Sequence, residues 1–334
     1  MKLTGLLQGI DVKGNYEDIE ITGLAFDTRQ AEKGGLFFCF EGKQTDGHAY
    51  AAKAMECGCS YVVVSHDLGI ENQLLVSDTR RAFGIACANL YDNPQRKLKL
   101  IGVTGTNGKT STTYLLRDIL RKAGFRVGLM GTVVNETEDS IIESKFTTPD
   151  SLAFYSLMNE MVKDNCEYVV VEVSSFGLAQ HRIEGCHFIA SIFTNLTQDH
   201  LDYHGTMEEY YNAKKSLFDV SDKAIISIDD DYGKRLAKEV QCPVATFSIK
   251  EDMADYTAKS IKLTIEMTSY AFVGKNVIAR VKYPCPGLFS VSNSMGALAL
   301  ATEIGVAIST SCEGIAAAKG VPGRVEVINT DTPF

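Results

Sequence analysis

The residues best suited to chemistry lie between Leu98 and Gly124, where an apolar strand, a glycine-rich turn and a helix follow one another. Leu98, Leu100, Ile101 and Val103 read as the strand; Thr112, Leu115, Leu116, Ile119, Leu120 and Ala123 recur at helical spacing, and Gly124 marks the stop. A helix is therefore predicted to start near Gly108. Its first N–H groups have no partner inside the helix and its dipole favours an anion there, so the turn can cradle phosphate. Gly105 and Gly108 let the backbone approach phosphate oxygens, Lys109 can set its ammonium between the outer phosphates, and the Thr110 hydroxyl can ligate Mg²⁺. The generic P-loop pattern fails by one position. It asks for glycine where Val103 stands, and glycine falls at Gly102. The strand, the spaced glycines, the Lys-Thr pair and the amphipathic helix together still predict a nucleoside triphosphate site.

Such a turn must be positioned by a sheet. Strands are predicted at Leu98–Val103, Tyr168–Val173, Phe188–Phe193, Ala224–Ile228 and Val244–Phe247, with helices between most of them. That alternation predicts a mostly parallel sheet covered on both faces, with ligands at the carboxyl ends of its strands. The rule selects Glu172, a carboxylate closing the run Val169, Val170 and Val171, as a Mg²⁺ ligand. It also selects Thr194 to Gly205, where Asp199, His200, Asp202 and His204 give two acids and two histidines within six residues. A metal or catalytic loop is expected there.

Before this region, residues 1 to about 92 read as a small mixed unit. Its predicted strands are Ile19–Phe26, Leu36–Phe40, Tyr61–Val64 and Leu74–Val76, and its helices lie near Tyr50–Glu56 and Arg80–Leu90. Asp92, Asn93 and Pro94 break the chain, giving domains 1–93 and 94–330. Two polar clusters, Asp27 to Arg29 and Glu41 to His48, sit on loops; from pattern alone they read as turns whose side chains bond their own backbone. Toward the C-terminus, Ile261, Leu263, Ile265 and Met267 alternate, as do Val277, Ala279, Val281 and Tyr283. An antiparallel hairpin around Gly274, Lys275 and Asn276 is expected. Helices follow near Ser292–Ile304 and Ser311–Lys319, the latter with a Thr310/Glu313 capping box, and the last ten residues read as extended.

Bulk properties narrow the function. With 334 residues the chain suits two domains, and a net charge of -9 offers no basic stripe for nucleic acid. Nine cysteines form no CxxC pair, so buried or free thiols of a reducing cytosol are expected rather than zinc. No apolar run reaches the roughly 18 residues of a membrane span, and no signal-peptide core follows Met1. A cytoplasmic protein without nucleic-acid or membrane partners is expected.

Several stretches resemble the Mur ligases, ATP-dependent enzymes that build the peptide stem of peptidoglycan, and most closely their MurE type, which extends UDP-N-acetylmuramoyl-L-alanyl-D-glutamate by a third amino acid. The similarity rests on Thr104 to Thr110, on Thr147, Thr148 and Pro149, on Glu172 to Arg182, and on Thr194 to Gly205. It implies a small α/β substrate domain, a P-loop ligase domain with an added antiparallel hairpin, and a C-terminal amino-acid-binding domain that is absent, so that ligation by these residues alone is not expected. By this resemblance ATP is held by Gly105, Thr106, Asn107, Gly108, Lys109, Thr110, Ser111, Asn293 and Arg324, and one Mg²⁺ by Thr110 and Glu172. His200 would hold a second, and Lys214 would carry a carbamoyl group. Thr28 and the loop of Lys43, Gln44 and Thr45 would hold the uridine nucleotide; Thr147, Thr148, Ser174, Gln180 and Arg182 would hold the muramoyl dipeptide end. Lys109, Lys214 and His200 are the expected catalytic set. Partners would be small molecules, the protein a monomer.

Departures from the family pattern are Phe176 for histidine, Ser290 for asparagine and Gly35 for aspartate. Two rivals remain. A folylpolyglutamate-type ligase shares the phosphate loop and ATP chemistry but would lack the first domain, and a non-catalytic nucleotide-binding module would not need Lys109, Glu172, His200 and Lys214 together. The amino acid added is not legible.

Overall fold

A computed structural model describes residues 1–42 and 45–324, which form two compact units. The first comprises 1–97 together with 149–159 and 179–186; the second holds 98–148, 160–178 and the remainder from His187.

In the first unit, β1 (Leu24–Ala25), β2 (Leu36–Phe38), β3 (Tyr61–Val64) and β4 (Gln73–Leu75) make a parallel sheet in that order. Helices α1 (Leu3–Leu6), α2 (Ala51–Glu56) and α3 (Thr79–Leu90) accompany it. The four buried residues of β3, Tyr61, Val62, Val63 and Val64, show why no alternation marks this strand: both faces are covered. The strand expected over Ile19–Phe26 joins the ladder only at Leu24 and Ala25. Residues 19–21 instead pair with the N-terminus, through Leu3 N–H to the Ile19 carbonyl and Ile21 N–H to the Met1 carbonyl. The residues 179–186, read from sequence as part of the second domain, pack within this unit because Gly84 of α3 lets them close in: a Cβ there would lie 2.8 Å from both the His181 carbonyl and the Glu184 Cβ.

The second unit is built on β5 (Lys99–Thr104), followed by α4 (Lys109–Lys122), β6 (Val127–Met130), β7 (Val134–Glu136) and β8 (Ile141–Glu143). Then come α5 (Ser151–Lys163), whose residues up to 159 belong to the first unit although the sequence placed them in the second domain, β9 (Tyr168–Glu172), α6 (Ser175–Ala179), β10 (Phe188–Phe193), α7 (Leu201–His204), α8 (Met207–Lys215), β11 (Ala224–Ser227), α9 (Asp231–Glu239) and β12 (Val244–Ser248). The chain continues through β13 (Tyr256–Leu263), β14 (Thr268–Gly274), β15 (Val277–Tyr283), α10 (Leu288–Glu303) and α11 (Ile308–Ala317). The sheet order β15-β14-β13-β12-β11-β10-β5-β9-β6-β7-β8 puts β5 between β9 and β10. Strands β6 to β13 of that order run parallel, with antiparallel additions at both ends. The connections reverse direction beside β5, which is where an open α/β sheet opens a crevice at its carboxyl edge. Leu115, Leu116, Ile119 and Leu120 of α4 pack there on Ile101, Val103 and Val170 in one buried core.

Two expectations are corrected and one is extended. The antiparallel hairpin around Gly274, Lys275 and Asn276 forms, and a third strand joins it because Thr264 and Met267 close a further turn within the alternating run. Helix α10 starts at Leu288, a turn earlier than predicted; Leu288 and Phe289 are exposed and so lie off the apolar stripe that signalled the helix. The Thr310/Glu313 capping box does not form. Helix α11 begins at Ile308, and its start follows its packing on α4, where a Cβ on Gly314 would meet the Ile119 Cα at 2.8 Å. The predicted extended tail falls on 325–334, outside the described residues.

Candidate functional site

The turn after β5 is held open by glycine and by its neighbour strand. Gly108, at φ 88°, caps α4, and Gly105 has φ 144°. A Cβ on Gly105 would sit 1.9 Å from Thr194 Oγ1, and one on Gly108 2.3 Å from Asn293 Oδ1, so both positions exclude any side chain. The residues after β10 strap the turn down: Thr106 N–H donates to the Asn195 carbonyl (2.9 Å), Asn107 N–H to Asn195 Oδ1 (2.9 Å), and Thr194 Oγ1 to the Asn107 carbonyl (2.7 Å). The sequence marks Thr194 to Gly205 as a metal or catalytic loop. Its first residues also fix the shape of the turn after β5, a role visible only once β10 is known to flank β5.

Lys109 folds back onto that turn, donating to the carbonyls of Gly105 (3.0 Å) and Thr106 (2.9 Å). Burial holds its ammonium below the usual lysine range, while Glu172 and Asp199 pull the other way. At the end of β9 the Glu172 carboxylate is fully buried. It accepts from Thr110 Oγ1 at 3.1 Å, from Thr132 N–H at 3.0 Å and from Thr132 Oγ1 at 3.0 Å. Burial raises its pKa, opposed first by the Thr132 N–H and then by Lys109. Adjacent oxygen ligands of an octahedral Mg²⁺ lie about 3 Å apart, since each is roughly 2.1 Å from the ion. The 3.1 Å between Thr110 Oγ1 and Glu172 Oε2 matches such a pair, so the donor set suits that cation.

Thr132 was not singled out from sequence, and its Oγ1 also reaches Thr147 Oγ1 at 3.1 Å. Thr148 is buried, with its hydroxyl donating to the Glu172 carbonyl (2.8 Å) and accepting from Ser174 N–H (2.9 Å). Thr110, Thr132, Thr147, Thr148, Glu172 and Ser174 thus form one hydrogen-bonded group.

Lys214, on α8, is 1% exposed and donates to the same Gly105 carbonyl at 2.8 Å. Burial, with Lys109 nearby, drives its pKa well below the ordinary value. Its Nζ lies 4.6 Å from the centre of the Tyr210 ring, whose hydroxyl bonds Thr106 Oγ1 at 3.2 Å. His200 has left-handed backbone (φ 53°) and a half-exposed ring beside Phe176 (5.0 Å between centres) and Tyr210 (6.1 Å). Lys109, Lys214 and the turn come together; His200 joins them through Tyr210.

A cavity of about 730 Å³ opens beside the turn, a size that suits a nucleotide-sized ligand. Asn107, Gly108, Ser111, Asn293 and Arg324, which the resemblance assigns to ATP, are among its lining residues. Asp229, Asp230 and Lys250 line it as well, and sequence reading missed them. Asp229 and Asp230 follow the strand β11, so the rule that selected Glu172 could have found them. Both are already occupied: Asp230 accepts from Leu196 and Gly233 N–H, and Asp229 from Ile249 and Lys250 N–H.

In the first unit Thr28 opens a 3₁₀ turn capped by Asp27, whose carboxylate accepts from Arg29 N–H. Thr45 is exposed, and Lys43 and Gln44 lie outside the described residues. Nearby, Glu41, His48 and His66 bring ligand-type atoms within 4.8 Å of one another. Ser65 already fills that space. Its N–H donates to His48 Nε2 (3.0 Å) and its hydroxyl to Glu41 Oε1 (2.7 Å), while His48 Nδ1 meets Asp46 (2.6 Å), so the group is a closed hydrogen-bond hub and not an open metal site. On the 179–186 turn, Arg182 donates through Nε (3.1 Å) and Nη2 (2.8 Å) to Gln180 Oε1, pairing the two residues assigned to the dipeptide end.

Comparison with known proteins agrees with this geometry. Residues 103–301 match the Mur ligase middle domain. The UDP-N-acetylmuramoyl-L-alanyl-D-glutamate–2,6-diaminopimelate ligase of Clostridium tetani is 40% identical, over 98% of this chain and 69% of its own length. Ligase 1 of the same name from Clostridium acetobutylicum is 42% identical over 94% and 66%. A solved structure of a protein bearing that ligase name superposes with a TM-score of 0.86 at 27% identity, covering 99% of this chain and 69% of its own. The chain thus spans about two thirds to seven tenths of these relatives. From the family match across its central unit and the similarity along nearly its whole length, the chain belongs to the Mur ligase family of enzymes.

Proposed function

We propose that this chain serves the MurE-type reaction, an ATP-dependent amide ligation that adds 2,6-diaminopimelate to UDP-N-acetylmuramoyl-L-alanyl-D-glutamate. The names of the relatives support the substrates. The observation that carries the chemistry is the Thr110–Glu172 oxygen pair beside Lys109, at the mouth of a phosphate turn. In this reading the γ-phosphoryl group of ATP passes to the D-glutamate γ-carboxylate, releasing ADP and forming an acyl phosphate. The incoming amine then attacks the acyl carbon, and phosphate leaves as the amide forms.

Two anions must meet for the first step, so the site has to supply positive charge. Lys109 would leave the Gly105 and Thr106 carbonyls for the outer phosphates, and the N–H groups at the start of α4 would hold the phosphate oxygens. Thr110 and Glu172 would hold a Mg²⁺, which supplies charge neutralisation on the transferring phosphoryl group. The Lys214 amine, whose cationic form burial disfavours, would add CO₂ at Nζ with loss of one proton, which places an anion beside Lys109. His200 is assigned a second Mg²⁺. Asn293 and Arg324 would flank the adenosine in the cavity, and Gln180 and Arg182 the acidic end of the dipeptide. The chain is proposed to act as a monomer in the cytoplasm.

Calorimetric titration with a non-hydrolysable ATP analogue and with UDP-N-acetylmuramoyl-L-alanyl-D-glutamate tests the reading. Mg²⁺-dependent binding of the first and binding of the second are expected; failure to bind either at millimolar concentration overturns it.

A further inference from the structure

Arg182 donates to the side-chain carbonyl of Gln180, yet the residue between them makes other contacts. His181 has φ 54°, a left-handed conformation that costs a non-glycine residue about 1 kcal/mol and persists only where neighbours enforce it. Its ring meets two of those neighbours. Nδ1 lies 3.0 Å from Glu184 Oε2, and Nε2 lies 3.5 Å from Asp78 Oδ2. Both ring nitrogens therefore face carboxylates, which only accept. A neutral imidazole can donate from one nitrogen alone, so the arrangement suits the imidazolium.

We propose that His181 is a positioning residue: protonated, it locks the turn so that Gln180 and Arg182 meet the acidic end of the substrate, and on losing its proton it loosens that grip. The proposal rests on the reading that those two residues hold the dipeptide end.

The lock is tied to helix α3. Arg81 donates from Nε to Glu184 Oε1 (2.9 Å), and its N–H is received by Asp78 Oδ1 (2.9 Å). The missing Cβ of Gly84 lets the His181 carbonyl and Glu184 close onto the helix, and Glu184 N–H donates to the His181 carbonyl (3.2 Å). The charged groups facing the ring are Asp78 and Arg81 from α3 and Glu184 from its own turn. With His181 protonated the four groups sum to zero. Without its proton they carry one net negative charge, with Arg81 the one cation left among the four. The ring's pKa lies above its ordinary value, chiefly through its bond to Glu184, with Asp78 adding to the rise. The sign follows: the lock is complete below the usual imidazole range and is lost as pH rises through the elevated folded value.

The test is calorimetric binding of UDP-N-acetylmuramoyl-L-alanyl-D-glutamate from pH 6 to 9, for the unaltered chain, His181→Asn and Glu184→Gln. Asparagine tolerates the left-handed backbone, and Glu184→Gln leaves the ring in place, so one variant covers a folding failure of the other. For the unaltered chain, affinity should fall by about fivefold or more across the range, with a midpoint equal to the His181 ring titration followed by NMR. Both variants should bind at the weaker, high-pH level with a flat profile, and their affinity for an ATP analogue should be unchanged. A variant that keeps the original pH profile, or a ring titration displaced from the binding midpoint, overturns the proposal alone. If the unaltered chain binds the ATP analogue but not the dipeptide nucleotide, the functional reading of Gln180 and Arg182 fails and the proposal with it.

Discussion

The phosphate turn of the second unit and the 179–186 turn of the first both present cations near the end of ordered structure, but they hold them in opposite ways. Around Gly105 the charges are buried and unbalanced locally: Lys109 and Lys214 share one backbone carbonyl, and Glu172 relies on threonine donors. Around His181 the charges are partly exposed and paired with one another, Arg81 with Glu184 and His181 with Asp78 and Glu184. Burial without a full counter-charge leaves a site poised for an ionic ligand, because a ligand supplies what the fold withholds. Exposed pairs contribute little to stability and set orientation instead. Changes in the first region should therefore alter ligand binding strongly, whereas changes in the second should act on geometry.

The largest effect is expected at Lys109. Lys109→Ala should lower Mg²⁺-dependent affinity for an ATP analogue by about 10- to 100-fold, the loss of one charge-assisted contact to phosphate, with an unchanged circular dichroism spectrum. Normal affinity would erase the contrast between the two turns. Next comes Glu172→Gln, which keeps the shape but removes the anion. Calorimetry should show about a tenfold loss in the presence of Mg²⁺ and little change in EDTA; equal losses in both would mean that the carboxylate only supports Thr132.

Lys214 sharpens the comparison through stability. Its folded pKa is depressed by burial, so the unfolded chain binds more protons and stability from this group rises with pH until the unfolded lysine also deprotonates. In CO₂-free buffer at pH 7, Lys214→Met should thus raise the melting temperature by a few degrees, and the difference should shrink toward pH 10. A variant less stable than the original at pH 7 would contradict the cost assigned to this buried amine. Added ¹³C-bicarbonate should give a carbamate resonance in the original chain alone. The smallest effect belongs to the first unit: Ser65→Ala removes the hydroxyl shared by Glu41, His48 and His66 and should cost about 1 kcal/mol in thermal unfolding, leaving ATP-analogue affinity untouched.

Much of the second unit was legible because its signals are local. The glycines of the turn, the helix that follows and the carboxylate closing an apolar strand are each read within a few residues, and β5, β9, β10, β11 and β12 of the parallel core were foreseen, whereas β6 (Val127–Met130) was missed. The end strands Val134–Glu136 and Ile141–Glu143 were missed as well, since three residues are too few for a periodic pattern and the second is wholly exposed. Thr132 and Tyr210 escaped for a different reason. Nothing in their own sequence neighbourhood distinguishes them, and each matters only through a partner remote in the chain, such as Thr106 for Tyr210 at a separation of 104 residues.

The sequence by itself determined that the chain passes from strand to helix through a glycine-bearing turn between Gly105 and Thr110, because backbone direction there depends on φ at two glycines and on where a helix begins. Only the tertiary structure decided which groups surround that turn. Inserting β5 between β9 and β10 buries Glu172 on one side, lays Thr194 and Asn195 on the other, and lets Lys214 reach the Gly105 carbonyl across 109 residues. Burial is what moves the pKa values of Lys109, Glu172 and Lys214 from their ordinary ranges, and burial is set by which strands become neighbours.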